Sequence, residues 1–85
     1  MKNTIKYKGK LNAIGNKIKD YRKLNNMTQK ALSEKLQLYG IDLNKNSLQK
    51  IEKGTRIIKE YELAAFCKAF DVSADLLLKD CIDEL

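Results

Sequence analysis

The sequence predicts an all-α fold, a compact bundle of five short helices around one core. Apolar residues recur in three- and four-residue steps, which is the period of a helix with one buried face. Residues that cap helices stand before these stretches, and glycines follow some of them. No stretch shows the sustained alternation typical of a strand. With 85 residues, 44% of them hydrophobic, the chain has room for one domain with a modest core.

The first helix is predicted over residues 10–25, because Leu11, Ile14, Ile18 and Tyr21 fall on one face. The Asn25-Asn26 pair ends it, since short polar side chains compete for backbone hydrogen bonds.

The second helix is predicted over residues 29–39, with Thr28 as its N-cap and Gly40 as its stop. Residues 41–43 then form a short connector. The side chains expected to point inward from this helix are Ala31, Leu32, Leu36 and Tyr39.

The third helix is predicted over residues 45–53, between a capping Asn44 and Gly54. Only Leu48 and Ile51 are clearly apolar here. A helix with so narrow an apolar stripe turns most of its surface toward something other than the core.

Two more helices complete the prediction, the fourth over residues 60–70 and the fifth after a capping Ser73. Their apolar residues are Leu63, Phe66, Cys67 and Phe70 in the fourth and Leu76, Leu77 and Ile82 in the fifth. Residues 1–9 are interpreted as a flexible basic arm, residues 10–79 as the domain, and residues 80–85 as a tail or an extension of the last helix.

The charge of the chain is divided between its two ends. Residues 1–59 carry 15 Lys or Arg and 4 acidic residues, a net charge of +11, whereas residues 60–85 carry 2 lysines and 7 acids, a net charge of −5. A basic N-terminal portion attracts a polyanion and an acidic C-terminal portion is repelled by one. Oriented binding to duplex DNA fits this division, as do adhesion to an anionic membrane and plain solubility.

Several classes of function are disfavoured. Without histidine, and with Cys67 and Cys81 outside any CxxC pair, the chain has too few ligands for a protein-only zinc site, and no cofactor is expected. We expect two reduced thiols, one buried and one near the tail. No nucleophile elbow, phosphate-cradling glycine loop or convincing carboxylate pair indicates an enzyme.

The chain also lacks the marks of a membrane or secreted protein. No apolar run approaches the ~20 residues of a membrane span. The N-terminus is basic without the apolar stretch of a signal peptide. We therefore expect a cytoplasmic protein.

From Ile14 to Leu78, about three quarters of the chain, the sequence resembles the XRE family, the phage repressor and Cro-like helix-turn-helix domains. The residues that carry the resemblance are Ile18 and Arg22; Met27-Thr28-Gln29, Leu32 and Leu36; Ser47-Leu48, Ile51-Glu52-Lys53-Gly54 and Arg56; and Leu63 together with Val72-Ser73-Ala74-Asp75-Leu76-Leu77. Each piece is weak alone, but the ordered set is specific.

The resemblance implies a lambda-repressor-like bundle in which helices two and three form the helix-turn-helix. It also implies a sequence-specific regulator of transcription, a repressor, that reads the major groove of double-stranded DNA with helix three. The positions that match base-facing ones are Lys45, Asn46, Gln49 and Lys50. Asn and Gln can pair bidentately with adenine, and Lys can donate to guanine.

The resemblance also implies phosphate contacts and one structural ion pair. Gln29 matches a phosphate-contacting position at a helix N-terminus, where free N–H groups attract anions. Further phosphate candidates are Lys30, Arg56 and Lys59. Independently of the resemblance, the N-terminal lysines either form an arm on the DNA backbone or are exposed charges that only aid solubility; they are Lys2, Lys6, Lys8 and Lys10. Arg22 and Glu52 match the family's ion pair between helices one and three, which suits the bidentate fork of a guanidinium.

The link between helices two and three departs from the phage repressors, because it is several residues longer. Either helix two runs an extra turn, or the connector is a loop packed through Ile41 and Leu43. This difference leaves the base-facing positions open by one or two residues.

Two alternatives remain open at this point. A protein-interaction module of the same fold would bind a toxin or another regulator instead of DNA. Independently, a homodimer would bury a helical stripe, with the alternative that Leu78 closes the core and the last residues fray. The residues of that stripe are Leu78, Cys81, Ile82 and Leu85.

Overall fold

Five α-helices make up the protein between residues 7 and 85, the part of the chain that the computed structural model describes. In chain order they are α1 Gly15–Leu24, α2 Gln29–Gln37, α3 Lys45–Lys53, α4 Glu60–Phe70 and α5 Ala74–Glu84. The only extended pairing in this range is a single bridge between Tyr7 and Lys10. The all-α prediction is confirmed.

The predicted caps of α2, α3 and α5 are also confirmed. The side-chain oxygens of Thr28, Asn44 and Ser73 each accept a hydrogen bond from the backbone N–H three residues on, at 3.0, 2.8 and 3.3 Å. Gly54 ends α3 with φ of +82°, a left-handed conformation that glycine adopts without a Cβ penalty. These caps make the ends of α3 the same as predicted.

The predicted start of the first helix is wrong, because α1 begins only at Gly15. Asn12 keeps the preceding chain out of the helix. Its side-chain oxygen accepts the Gly15 N–H at 2.7 Å, and its amide nitrogen donates to the carbonyls of Ile51 and Arg56, each at 2.9 Å. The helical spacing of Leu11 is therefore coincidental.

The connector between α2 and α3 is a loop, the second of the two alternatives. The helix ends at Gln37 rather than at residue 39. Leu43 is buried in the core and Ile41 packs against its edge. The Ser33 hydroxyl donates to the Leu43 carbonyl at 2.6 Å, which ties the loop to α2.

One hydrophobic core lies between the helices. Its buried side chains are Ile14, Ile18, Leu32, Leu36, Leu43, Leu48, Ile51, Ala65, Phe66, Ala69, Phe70 and Leu77. Three expectations were wrong in detail: Ala31 is exposed, Leu76 on α5 is about half exposed, and Cys67 is only half-buried. Ala31 lies in the first turn of α2, ahead of the buried pair Leu32 and Leu36, and small apolar residues need no burial there.

The backbone of α3 approaches the start of α1 very closely. A Cβ at Gly15 would lie 2.1 Å from the Ile51 carbonyl oxygen and 3.2 Å from that of Glu52. Only a glycine permits this distance, so the position of α3 depends on it.

Candidate nucleic-acid interface

The outward side of α3 is polar and exposed. Its inward side carries Leu48 and Ile51, both 0% exposed. The four side chains that the resemblance assigned to bases, Lys45, Asn46, Gln49 and Lys50, are all exposed. At 1.5 Å per residue this helix is about 14 Å long, enough to follow roughly four base-pair steps of a major groove.

The four side chains divide between two edges of this exposed side. Lys45 and Gln49, one helical turn apart, face a groove that α3 forms with α1 and the start of α2. Asn46 and Lys50, also one turn apart, lie about 100° further around the helix and outside that groove.

The groove between α1, the start of α2 and α3, called here the basic groove, is lined by five lysines. They are Lys19, Lys23, Lys30, Lys45 and Lys53. Within residues 7–85 none of the five has a carboxylate within 4.0 Å. Such a surface concentrates positive potential and attracts a polyanion.

The one carboxylate that lines the basic groove, Glu52, is already bound. Its oxygens accept the Arg22 Nε at 2.7 Å and a terminal Arg22 nitrogen at 3.1 Å. The Glu52 side chain is 4% exposed and the Arg22 side chain 11%. The hydrogen bond from Arg22 to Glu52 raises the pKa of the guanidinium, and a third Arg22 N–H donates to the Met27 carbonyl at 2.8 Å. The structure thus brings together the two residues of the expected ion pair.

Gln29 stands at the first position of α2, as expected for a residue beside a phosphate. Its side-chain nitrogen, however, donates to Glu52 at 3.1 Å. The amide is therefore oriented by the Arg22–Glu52 pair, while its neighbour Lys30 extends freely into the basic groove.

Arg56 and Lys59 lie away from the basic groove, in the link between α3 and α4. The Arg56 guanidinium donates to both oxygens of the buried Glu62 carboxylate, at 3.0 and 3.2 Å. Lys59 donates its backbone N–H to Glu62 at 2.9 Å, and its ammonium lies 5.8 Å from the centre of the Tyr61 ring. Arg56 is thus bound to Glu62, a partner that the sequence did not predict.

The Glu62 contacts make the stability of the fold depend on pH. Burial acts to raise the pKa of Glu62, but hydrogen bonds from Arg56 and from the Lys59 N–H outweigh it and lower the pKa below its ordinary value of 4.5. A lowered carboxyl pKa stabilises the fold above that ordinary value, and the contribution is lost as pH falls through the folded pKa.

Glu62→Gln is accordingly expected to lower the free energy of unfolding by about 2 kcal/mol near neutral pH, because a charge-assisted bidentate pair is lost. As pH falls through the folded pKa of Glu62 the difference from wild type should shrink, since the native carboxyl becomes protonated as well. Urea unfolding at several pH values measures it. Glu60→Gln, at an exposed acid in the same helical turn, is the matched control. A constant difference at every pH would contradict the assignment.

The N-terminal lysines are only partly available for an arm. Lys8 lies 2.9 Å from Glu84 on α5, which also accepts a hydrogen bond from the Tyr7 hydroxyl. The aliphatic chain of Lys10 packs on Gly54, where an added Cβ would approach it to 2.6 Å. Lys2 and Lys6 lie outside the described residues.

Sequence reasoning missed three lysines of the basic groove: Lys19 and Lys23 on α1, and Lys53 at the end of α3. Spacing offers a partial signal, because Lys19 and Lys23 are four residues apart on one helix and so share a face. That this face borders α3 depends on how the helices pack.

A polar helix presented outward, next to a second helix whose start opens on a lysine-lined groove, is the arrangement expected of a helix-turn-helix DNA-binding domain. The helix-turn-helix family model HTH_3 matches residues 18–77. The chain therefore belongs to this XRE-type family with Cro/C1-type domains, as its sequence indicated, and is a DNA-binding regulator.

No curated protein and no solved structure matches the chain at a significant level. In the described part of the chain, residues 7–85, no helix has the length and hydrophobicity that a membrane-spanning helix needs.

Proposed function

We propose that the protein is a transcriptional repressor that reads a specific duplex sequence by inserting α3 into the major groove. The observation that carries this proposal is the exposed arc of Lys45, Asn46, Gln49 and Lys50 beside the basic groove. The major groove, about 12 Å wide, admits one helix of this diameter.

The two pairs of side chains in this arc are placed to make different contacts with DNA. Asn46 and Lys50 project away from the basic groove and are free to meet base edges, with the amide suited to adenine and the ammonium to guanine. Lys45 and Gln49 border the basic groove, where the sugar-phosphate backbone of one DNA strand would pass. They can therefore reach either a base edge or that backbone.

The Arg22–Glu52 pair supports the proposal in a second way. An unpaired carboxylate in this groove would repel phosphate, and Arg22 removes that repulsion while tying α1 to α3. Gln29, held by the same carboxylate, has an amide oxygen and a second N–H left for DNA and its hydration.

The test is selection of binding sites from random duplexes, followed by titration of the selected duplex. We expect a motif bound about 10³-fold more tightly than random DNA. Asn46→Ala and Lys50→Ala should each cost about 1–3 kcal/mol and relax one or two positions of the motif. Lys79→Ala, a lysine of α5 that pairs with Asp83, controls for loss of charge alone.

The shape of the motif reports the assembly. Two inverted half-sites about 34 Å apart indicate the homodimer proposed through the α5 stripe, of which Ile82 and Leu85 are 57% and 93% exposed. A single asymmetric site indicates a monomer on DNA. Binding that selects no motif and is lost at moderate salt would overturn the proposal that the protein recognises a specific DNA sequence. It would favour the protein-interaction module.

A further inference from the structure

Three lysines of α1 fall into two groups that differ in what surrounds them. Lys17 lies 2.9 Å from Asp80 on α5, and its pKa is raised by that hydrogen bond. Lys19 and Lys23 face the other way, into the basic groove, and among the described residues neither has a carboxylate partner. One helix therefore turns a compensated lysine toward the acidic α5 and two uncompensated lysines toward α3.

The uncompensated pair is unfavourable in the free protein. Like charges four residues apart on a helix repel one another by a few tenths of a kcal/mol. The repulsion is increased by Lys45 and Lys53 across the groove, and Glu52 does not relieve it because Arg22 occupies that carboxylate. A polyanion lying along the groove would relieve all of these repulsions together.

The lysines of the basic groove are spread along the helices that line it, which suits an extended polyanion better than a single small anion. They come from three elements, α1, the first turn of α2 and the whole length of α3. The N-terminal end of α2, with its free N–H groups, opens onto the same groove at Thr28 and Gln29.

We propose that Lys19 and Lys23 bind the sugar-phosphate backbone of one DNA strand, so that α1 adds a row of phosphate contacts beside the helix-turn-helix itself. This inference rests on the proposed function, since it assumes that duplex DNA is the ligand of α3. It assigns to α1 affinity and positioning, and no part in reading bases.

The salt dependence of binding measures these contacts directly. Each phosphate neutralised by a lysine contributes about 0.9 to the slope of log K against log salt concentration. The double variant Lys19→Gln with Lys23→Gln should therefore have a slope whose magnitude is smaller by about 1.8. Between 50 and 200 mM salt, wild type should then lose roughly tenfold more affinity than this variant loses.

The matched control is Lys17→Gln with Lys79→Gln, which removes two charges from lysines that pair with Asp80 and Asp83 on α5. Its slope should change by much less than that of the groove variant. Both variants alter lysines outside the hydrophobic core, so circular dichroism and urea unfolding should match those of wild type.

The outcomes separate this inference from the proposed function. A wild-type motif with an unchanged slope for Lys19→Gln with Lys23→Gln overturns the α1 contacts and leaves major-groove reading intact. An equal fall in slope for both variants also overturns them, because net charge alone would explain it. A lowered slope confined to the groove variant, with every motif position unchanged, supports them. Wild-type protein that fails to bind duplex DNA overturns both.

Discussion

Glu52→Ala is expected to destabilise the protein by about 3 kcal/mol, because it leaves the Arg22 guanidinium largely buried without its partner. Gln29 loses its acceptor in the same step. In a domain of this size such a loss corresponds to a fall of roughly 15 °C in Tm. Thermal and urea unfolding of the purified chain measure it.

Two further variants test whether the loss of stability comes from breaking the Arg22–Glu52 pair or from removing any carboxylate. Glu34→Ala, at an exposed acid of α2, should remain within about 0.5 kcal/mol of wild type. Glu52→Gln keeps a hydrogen-bond acceptor for Arg22 and should fall between the two. If Glu52→Ala were as stable as Glu34→Ala, the pair would not hold α1 to α3.

Gly15→Ala is expected to destabilise the protein by about 2–3 kcal/mol, although helix propensity alone predicts a gain of roughly 1 kcal/mol from the same change. The added methyl would meet the Ile51 carbonyl oxygen at 2.1 Å, a backbone atom that cannot rotate away. The strain has to be relieved by moving α1 and α3 apart. Specific DNA binding should therefore weaken beyond the loss of folded protein.

Asp20→Ala, at an exposed position of the same helix, gives the propensity effect without the clash and should be neutral or slightly stabilising. Urea unfolding compares the two variants. A Gly15→Ala protein as stable as Asp20→Ala would show that the helices do not approach as closely as described.

The elements predicted best are those specified by neighbouring residues. The bounds of α3 follow from Asn44 and Gly54, which act within one turn of the helix ends. The start of α1 could not be predicted in the same way, because Asn12 acts through carbonyls 39 and 44 residues further along the chain.

The candidate site shows the same division. The polar arc of α3 is legible from its narrow apolar stripe, and the resemblance named the Arg22–Glu52 pair before the structure brought the two side chains together. The sequence did not predict that Arg56 would bind Glu62, because no local pattern indicates that a carboxylate in the first turn of α4 is buried.

By itself the sequence determined the number and order of the helices, the caps of α2, α3 and α5, the family, and the separation of positive from negative charge along the chain. All of these depend on interactions within a few residues or on composition. Only the tertiary structure decided which charges remain free, because these ion pairs join residues of different elements that meet only when the chain has packed. In the packed structure Lys17 pairs with Asp80, Arg56 with Glu62 and Arg22 with Glu52. Lys19 and Lys23 face α3 and have no carboxylate partner among the described residues.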